Sequence, residues 1–366
     1  MRIALLALHF AEYASRLALA LSAKHEVLLV LHSGNAQDEL PGDLRAQLSQ
    51  AVTVRSLRLP RFRDPRFVST ILSINRILAG FSPEMLHVQE FHPGYAGWAI
   101  LSFRRHLPVV LTVHDPVPHS GVFSKDNWRW KVVQWFRWKA NRVIVHGPRM
   151  QAELGELTGG VAGRIDVIPH GILGRAGADD DISGYESGTF LFFGRIQAYK
   201  GLRYLLDAGD ILHGRGHRFR LVVAGTGSDL EQHRRRIAST AWVELIDRYI
   251  STAEVPELFR RAMGVVLPYT DATQSGVSAL AFAFARPVIA TGVGDVPDVV
   301  IDGQTGLIIP PRDGKALADE MEKLLLDRRL RDSLATGAAR AAKEKLSWPR
   351  IADLTYGTYC RAMNSH

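Results

Sequence analysis

The sequence contains one cysteine, Cys360, which excludes an intrachain disulfide framework and any multi-cysteine metal site and fits a reducing compartment. No uncharged run reaches the roughly 18 residues that a spanning helix needs; the longest candidates are Phe91 to Phe103 and Ala272 to Ala285. A membrane crossing is therefore not expected. Arg2 is followed by only six apolar residues, Ile3 to Leu8, too few for the apolar stretch of a secretion signal, so this run reads as a first strand. No period of about 20 to 50 residues suggests a solenoid. With 46% hydrophobic and 22% charged residues the chain is globular rather than disordered, and 366 residues suffice for two domains with proper cores.

The formal net charge of +8 is unevenly spread: residues 45 to 149 hold 16 Lys and Arg against 5 Asp and Glu. An anionic partner is implied for that region, whether acidic lipid, nucleic acid or a phosphorylated substrate.

Short aliphatic runs alternate with helical patterns. Ile3–Leu8, Val27–Leu31, Met85–Gln89, Val109–Val113, Val143–Val145 and Ile165–Ile168 form one series; Thr189–Phe193, Arg220–Val223, Val243–Leu245, Gly264–Leu267 and Pro287–Ala290 form another. Such alternation predicts two α/β domains, each a doubly wound parallel sheet. The expected boundaries are 1–172 for the first domain, 173–188 for a glycine- and carboxylate-rich linker, and 189–345 for the second. Residues 346–366 read as a helix that could cross back to the first domain, and a cleft between the domains is the expected binding site.

Three constellations could carry chemistry. In Phe193-Gly194-Arg195-Ile196-Gln197-Ala198-Tyr199-Lys200-Gly201 a strand ends in a glycine turn, and two cations precede the next helix. Arg and Lys at such a turn suit a diphosphate, and a solvated basic turn is the alternative. Thr273-Gln274-Ser275-Gly276-Val277 opens a helix and would either cap it or offer N–H groups to a phosphate. Gly225-Thr226-Gly227 follows a strand but lacks the third glycine of a dinucleotide fingerprint.

The segments FFGRIQAYKG, VVAGTGSDL, DRYISTAEVPELF and LPYTDATQSGVSALAFAFARPVIATGVGDVPDVVIDGQTGLIIPP resemble, in order, the donor-binding half of the group 1, family 4 retaining glycosyltransferases. HVQEFHPGYAGW, VVLTVHD, VIVHGP and VIPHG extend the resemblance through the first half. It implies the GT-B fold, two Rossmann-like domains facing across a cleft, and a nucleoside-diphosphate sugar as donor. It also implies that Arg195 and Lys200 hold the diphosphate, with Gly194, Gly225, Gly227, Gln274, Ser275, Gly276 and Val277 around it. By the same resemblance Arg248, Tyr249 and Ile250 border the base and His114 faces the donor sugar. Two departures stand out. The family's paired glutamates, eight positions apart, fall here on Ala272 and Leu280. The loop after the first strand, His9 to Ala14, lacks the usual paired glycines.

On the acceptor side, Asp115 and His119 are the candidates, Asp115 either as a base in an inverting reaction or as a loop cap. His87, His92, His146 and His170 read as structural or solvated, and the histidines form no compact metal motif, so neither metal nor other cofactor is expected. Arg55, Arg58, Arg61, Arg63 and Arg66 read as a basic loop around two prolines. In Trp128 to Lys139, a period of 100° per residue predicts a core stripe of Trp128, Val132, Trp135 and Phe136. Trp130, Lys131, Arg137 and Trp138 would then face outward with the arginines toward an anionic membrane, or else pack internally. The resulting expectation is a cytoplasmic enzyme, peripheral at the inner face of the plasma membrane. It would pass a hexose with retention to a glycan or lipid-linked saccharide in surface polysaccharide or glycolipid synthesis, with no nucleic acid involved. The alternatives are a small soluble acceptor or a catalytically silent binding subunit, the latter suggested by Ala272 and Leu280.

Overall fold

Strand β1 (Arg2–Ala7) is apolar over five consecutive residues and buried on both faces, which is the signature of an interior strand in a parallel sheet. In a computed structural model, which describes residues 1–60, 64, 66–89, 93–116, 128–159, 162–174, 184–271 and 275–365, it is the third of seven strands. The others are β2 (Glu26–His32), β3 (Thr53–Leu57), β4 (Met85–Gln89), β5 (Val109–Thr112), β6 (Arg142–Val145) and β7 (Ile165–Val167). Their order is β3-β2-β1-β4-β5-β6-β7, all parallel, so the winding reverses between β1 and β4. Helix Trp348–Asn364 joins this unit, which comprises residues 1–171 and 348–366. It packs beside helix Ala11–Ser22, where His25 and Tyr356 stack at 4.7 Å and Tyr359 meets His87.

Residues 172–347 form the second unit, a six-stranded parallel sheet. It contains β8 (Thr189–Phe193), β9 (Arg220–Ala224), β10 (Val243–Ile246), β11 (Gly264–Leu267), β12 (Val288–Thr291) and β13 (Gly306–Ile309). The order is β10-β9-β8-β11-β12-β13, with the reversal between β8 and β11. Leu191, Val222, Val265 and Val288 fill one face of the core, and Phe190, Leu221, Val266 and Ile289 fill the other. Of the run 173–188, residues 175–183 lie outside the described residues.

The structure adds to the strands expected from sequence and corrects one segment. β3 and β13 are edge strands that the alternation reading passes over. The basic segment expected to be a loop is in fact framed by two elements: Arg55 lies within β3, and helix Arg66–Phe81 begins at Arg66. Leu57, Leu59 and Phe67 pack against the first core, so the apolar positions interleaved with arginines are anchors.

Candidate functional site

In an open parallel sheet, ligands gather at the strand C-termini where the winding reverses. In the second unit that point lies between β8 and β11, and the loops leaving these strands are locked together. A Cβ on Gly201, whose φ is 72°, would stand 2.0 Å from Pro268 O, so only glycine allows the approach. Thr270 N–H then donates to Tyr199 O at 2.7 Å. The loop after β9 joins through Gly225, where a Cβ would meet Gly194 O at 2.1 Å, and Ile196 N–H donates to Thr226 O at 2.9 Å. Gly194, Gly225 and Gly227 are thus brought together with Arg195 and Lys200.

The two cations differ. Arg195 is exposed, whereas Lys200 is buried, with its Nζ 5.6 Å from the centre of the Tyr269 ring. Desolvation, and then the Arg195 charge, push the Lys200 ammonium down to about 8. Among the described residues neither forms an ion pair. Tyr269 in turn reaches Ser275 Oγ at 3.4 Å, and Ser275 precedes helix Gly276–Ala283 without capping it by a side-chain hydrogen bond. Open space lies off the Gly276 Cα. Val277 packs against the core, Leu280 is buried in it, and Ala272 and Gln274 lie outside the described residues. Tyr249 is 76% exposed, and Ile250 is a core residue.

In the first unit, β5, β6 and β7 are neighbours, and each is followed within three residues by a histidine: His114, His146 and His170. One ring nitrogen from each lies within 4.8 Å of the others. Their separations in sequence gave no sign of this, because strand adjacency alone unites them. Burial lowers all three imidazoles, His146 to about 3, and His87 behind them to about 3 as well, so all are neutral at pH 7. Phe10 stacks on His114 with ring centroids 3.8 Å apart. It does so with φ at 59°, so a non-glycine residue takes the left-handed conformation in the loop that lacks the paired glycines.

Asp115 is partly exposed, and its main-chain oxygen accepts from Arg137 Nη2 at 3.0 Å, while Pro116 O accepts from Nη1 at 2.7 Å. This corrects the expectation for Arg137: it is 2% exposed, a strut beneath the loop after His114 and not a membrane-facing cation. The expected core stripe is corrected at Trp135, which is 45% exposed and stands on one face with exposed Lys131 and Trp138, whereas Phe136 packs against the core as expected. Lys139 Nζ lies 4.1 Å from the Trp138 ring and 5.1 Å from that of Trp135. Beside them is an open concavity of about 490 Å³ lined by Arg104, Arg105, Trp138, Lys139, Asn141 and Arg164. Arg58 is exposed and Arg66 pairs with Asp64 at 2.7 Å. Arg61, Arg63, His92, His119 and the side chains of Trp128 and Trp130 lie outside the described residues. Among the described residues no helix is long and apolar enough to cross a membrane.

Comparison with known proteins covers both units. Residues 11–172 match the family described as Glycosyltransferase Family 4, and residues 187–327 match Glycosyl transferases group 1. D-inositol 3-phosphate glycosyltransferase of Paenarthrobacter aurescens is 30% identical over 77% of this chain and 73% of its own length. Alpha-D-kanosaminyltransferase of Streptomyces kanamyceticus is also 30% identical, over 46% of this chain and 44% of its own length, so the chain spans less than half of that relative. Among solved structures, HepE of Anabaena in complex with UDP superposes with a TM-score of 0.74 at 18% identity, over 98% of this chain and all of that one.

Proposed function

Because the chain belongs to the group 1, family 4 glycosyltransferases, we propose that it moves a hexose from a nucleoside-diphosphate sugar to a glycan or lipid-linked saccharide with retention of anomeric configuration. The observation that carries this reading is Lys200, a buried ammonium beside Arg195, with neither cation in an ion pair among the described residues. A buried cation without a partner is expensive unless an anion completes it. The diphosphate of a nucleotide sugar supplies two adjacent anionic groups, one for the Arg195 fork and one for the Lys200 point charge. Gly276, at the start of a helix, would offer N–H groups to the same anion. HepE, solved with UDP, makes UDP the first nucleotide to test.

In this mechanism the bond from anomeric carbon to diphosphate oxygen breaks first, and the two fixed cations stabilise the charge that grows on the departing group. The acceptor oxygen forms its bond on the face the diphosphate leaves, and the leaving oxygen takes the acceptor proton. No protein base is required, which accords with an apolar Leu280 and with Ala272 at the family's glutamate positions. An acceptor bearing an anionic lipid carrier would suit Arg104, Arg105, Lys131, Trp135, Trp138 and Lys139, and the protein would then work at the inner face of the plasma membrane.

The test is thermal stabilisation of the purified chain by UDP-, GDP-, ADP- and dTDP-sugars. One donor should raise the melting temperature, and the shift should fade in Arg195→Ala and Lys200→Ala. Turnover with that donor should fall on the order of 10² to 10³ in either variant. A donor that stabilises parent and variants equally would sink the assignment of the diphosphate site.

A further inference from the structure

Three imidazoles at the ends of β5, β6 and β7 each have one ring nitrogen hydrogen-bonded outward. His146 Nδ1–H donates to Ile168 O at 3.0 Å, and His170 Nδ1–H donates to Gly171 O at 2.7 Å. A carbonyl can only accept, so each of these rings is left with its lone pair on Nε2. Gln89 turns its amide nitrogen toward His87 Nε2, 3.4 Å away, and its Oε1 toward His114 Nε2, 2.8 Å away. Gln89 thus engages the outer nitrogen of His114 and leaves Nδ1 directed into the cluster. His114 Nδ1 and His146 Nε2 face each other at 3.1 Å, so that ring nitrogens of the three histidines converge.

Converging imidazole nitrogens whose second nitrogens are already hydrogen-bonded are ligands for a divalent metal ion. We propose that His114, His146 and His170 form a binding site for one divalent transition metal ion of the zinc class. The three outward hydrogen bonds are the kind that orient metal-bound histidines by their second nitrogen. Two ligands about 2.1 Å from a tetrahedral zinc lie about 3.4 Å apart, close to the 3.1 Å between His114 and His146. The 4.8 Å bound on the set leaves the third ring to move inward by on the order of 1 Å. An all-imidazole set selects zinc, cobalt, nickel or copper over magnesium or calcium, which require oxygen. The rings are tilted at 51° to 67° rather than stacked, and Tyr13 closes one side with its ring 5.0 Å from His114 and from His170. The ion would clamp three strand ends together and fix the ring of His114. This inference does not depend on the donor reading, since Arg195 and Lys200 take no part in it.

The experiment uses the full untagged chain, stripped by chelator and titrated with Zn²⁺ by calorimetry and with Co²⁺ by absorption. One equivalent should bind, and His146→Ala and His170→Ala should each weaken binding at least 100-fold, while Gln89→Ala weakens it about tenfold. Should the variants fail to fold, imidazole nitrogen NMR of the parent decides. Adding Zn²⁺ should then shift one nitrogen of each of His114, His146 and His170 and leave His87 Nδ1 on Tyr359. Absence of one-equivalent binding, equal affinity in folded variants, or unmoved imidazole signals would each overturn the site.

Discussion

At pH 7 Lys200 is an ammonium in both folded and unfolded chains, yet only the folded chain removes it from water. Its folded value of about 8 lies below the ordinary 10.5, so the unfolded chain binds the proton more tightly. The penalty is present in full below pH 8 and disappears as pH rises to 10.5. Lys200→Met should therefore raise stability at pH 7 by about 1–3 kcal/mol, a gain that vanishes near pH 10.5, while abolishing donor binding. Denaturant melts at the two pH values check the first part and calorimetry the second. In the parent, donor affinity should fall above about pH 8. Arg137 works oppositely, as a buried cation whose donors meet the carbonyls of Asp115 and Pro116. Arg137→Met leaves both carbonyls short of a donor and should cost about 2–4 kcal/mol, measurable by urea unfolding. The glycine turn that carries Arg195 and Lys200 was legible because Gly194 to Gly201 is one contiguous run. The inward turn of Arg137 was not, because its partners are main-chain oxygens that carry no sequence signal.

At the scale of elements, a strand buried on both faces declares itself as an unbroken apolar run, as β1, β5 and β11 do. β3 reads TVRSL and is exposed or half-exposed throughout, so an edge strand with Arg55 in it resembles a polar loop. Helix Trp128–Lys139 misled for a different reason: size and apolarity assign Trp135 to the core, whereas the outward face carries Lys131, Trp135 and Trp138 one helical turn apart. Aromatic rings among lysines on an open face suit the interfacial zone of an anionic bilayer. Paired changes, Trp135→Ser with Trp138→Ser, should lower partitioning to vesicles containing acidic phospholipid about tenfold or more and leave donor-induced stabilisation unchanged. Sedimentation with neutral and acidic vesicles distinguishes this from general stickiness, and undiminished binding of the double variant would remove the helix from the membrane account.

Across the whole molecule, both parallel sheets were legible from alternation, and so was the family from motifs running in order through both halves. The histidine cluster was not, since residues 114, 146 and 170 meet only through the order β5-β6-β7. Burying neutral imidazoles makes the first unit acid-sensitive. His87 and His146 titrate near 3 when folded and near 6.5 when unfolded, so the unfolded chain takes up protons first as pH falls. The stability they confer is whole above pH 6.5 and shrinks toward pH 3, by about 1–2 kcal/mol each at pH 5. Melting temperature should fall over that interval, less so in His87→Phe.

Helix Trp348–Asn364 belongs to the first unit although all of residues 172–347 precede it. On a ribosome adding about 5–20 residues per second, the second unit takes about 10 to 35 s to emerge. Throughout that interval the nascent first unit carries an uncovered flank on helix Ala11–Ser22 and a His87 without its tyrosine. The order of synthesis thus leaves the second unit free to fold before the first is closed.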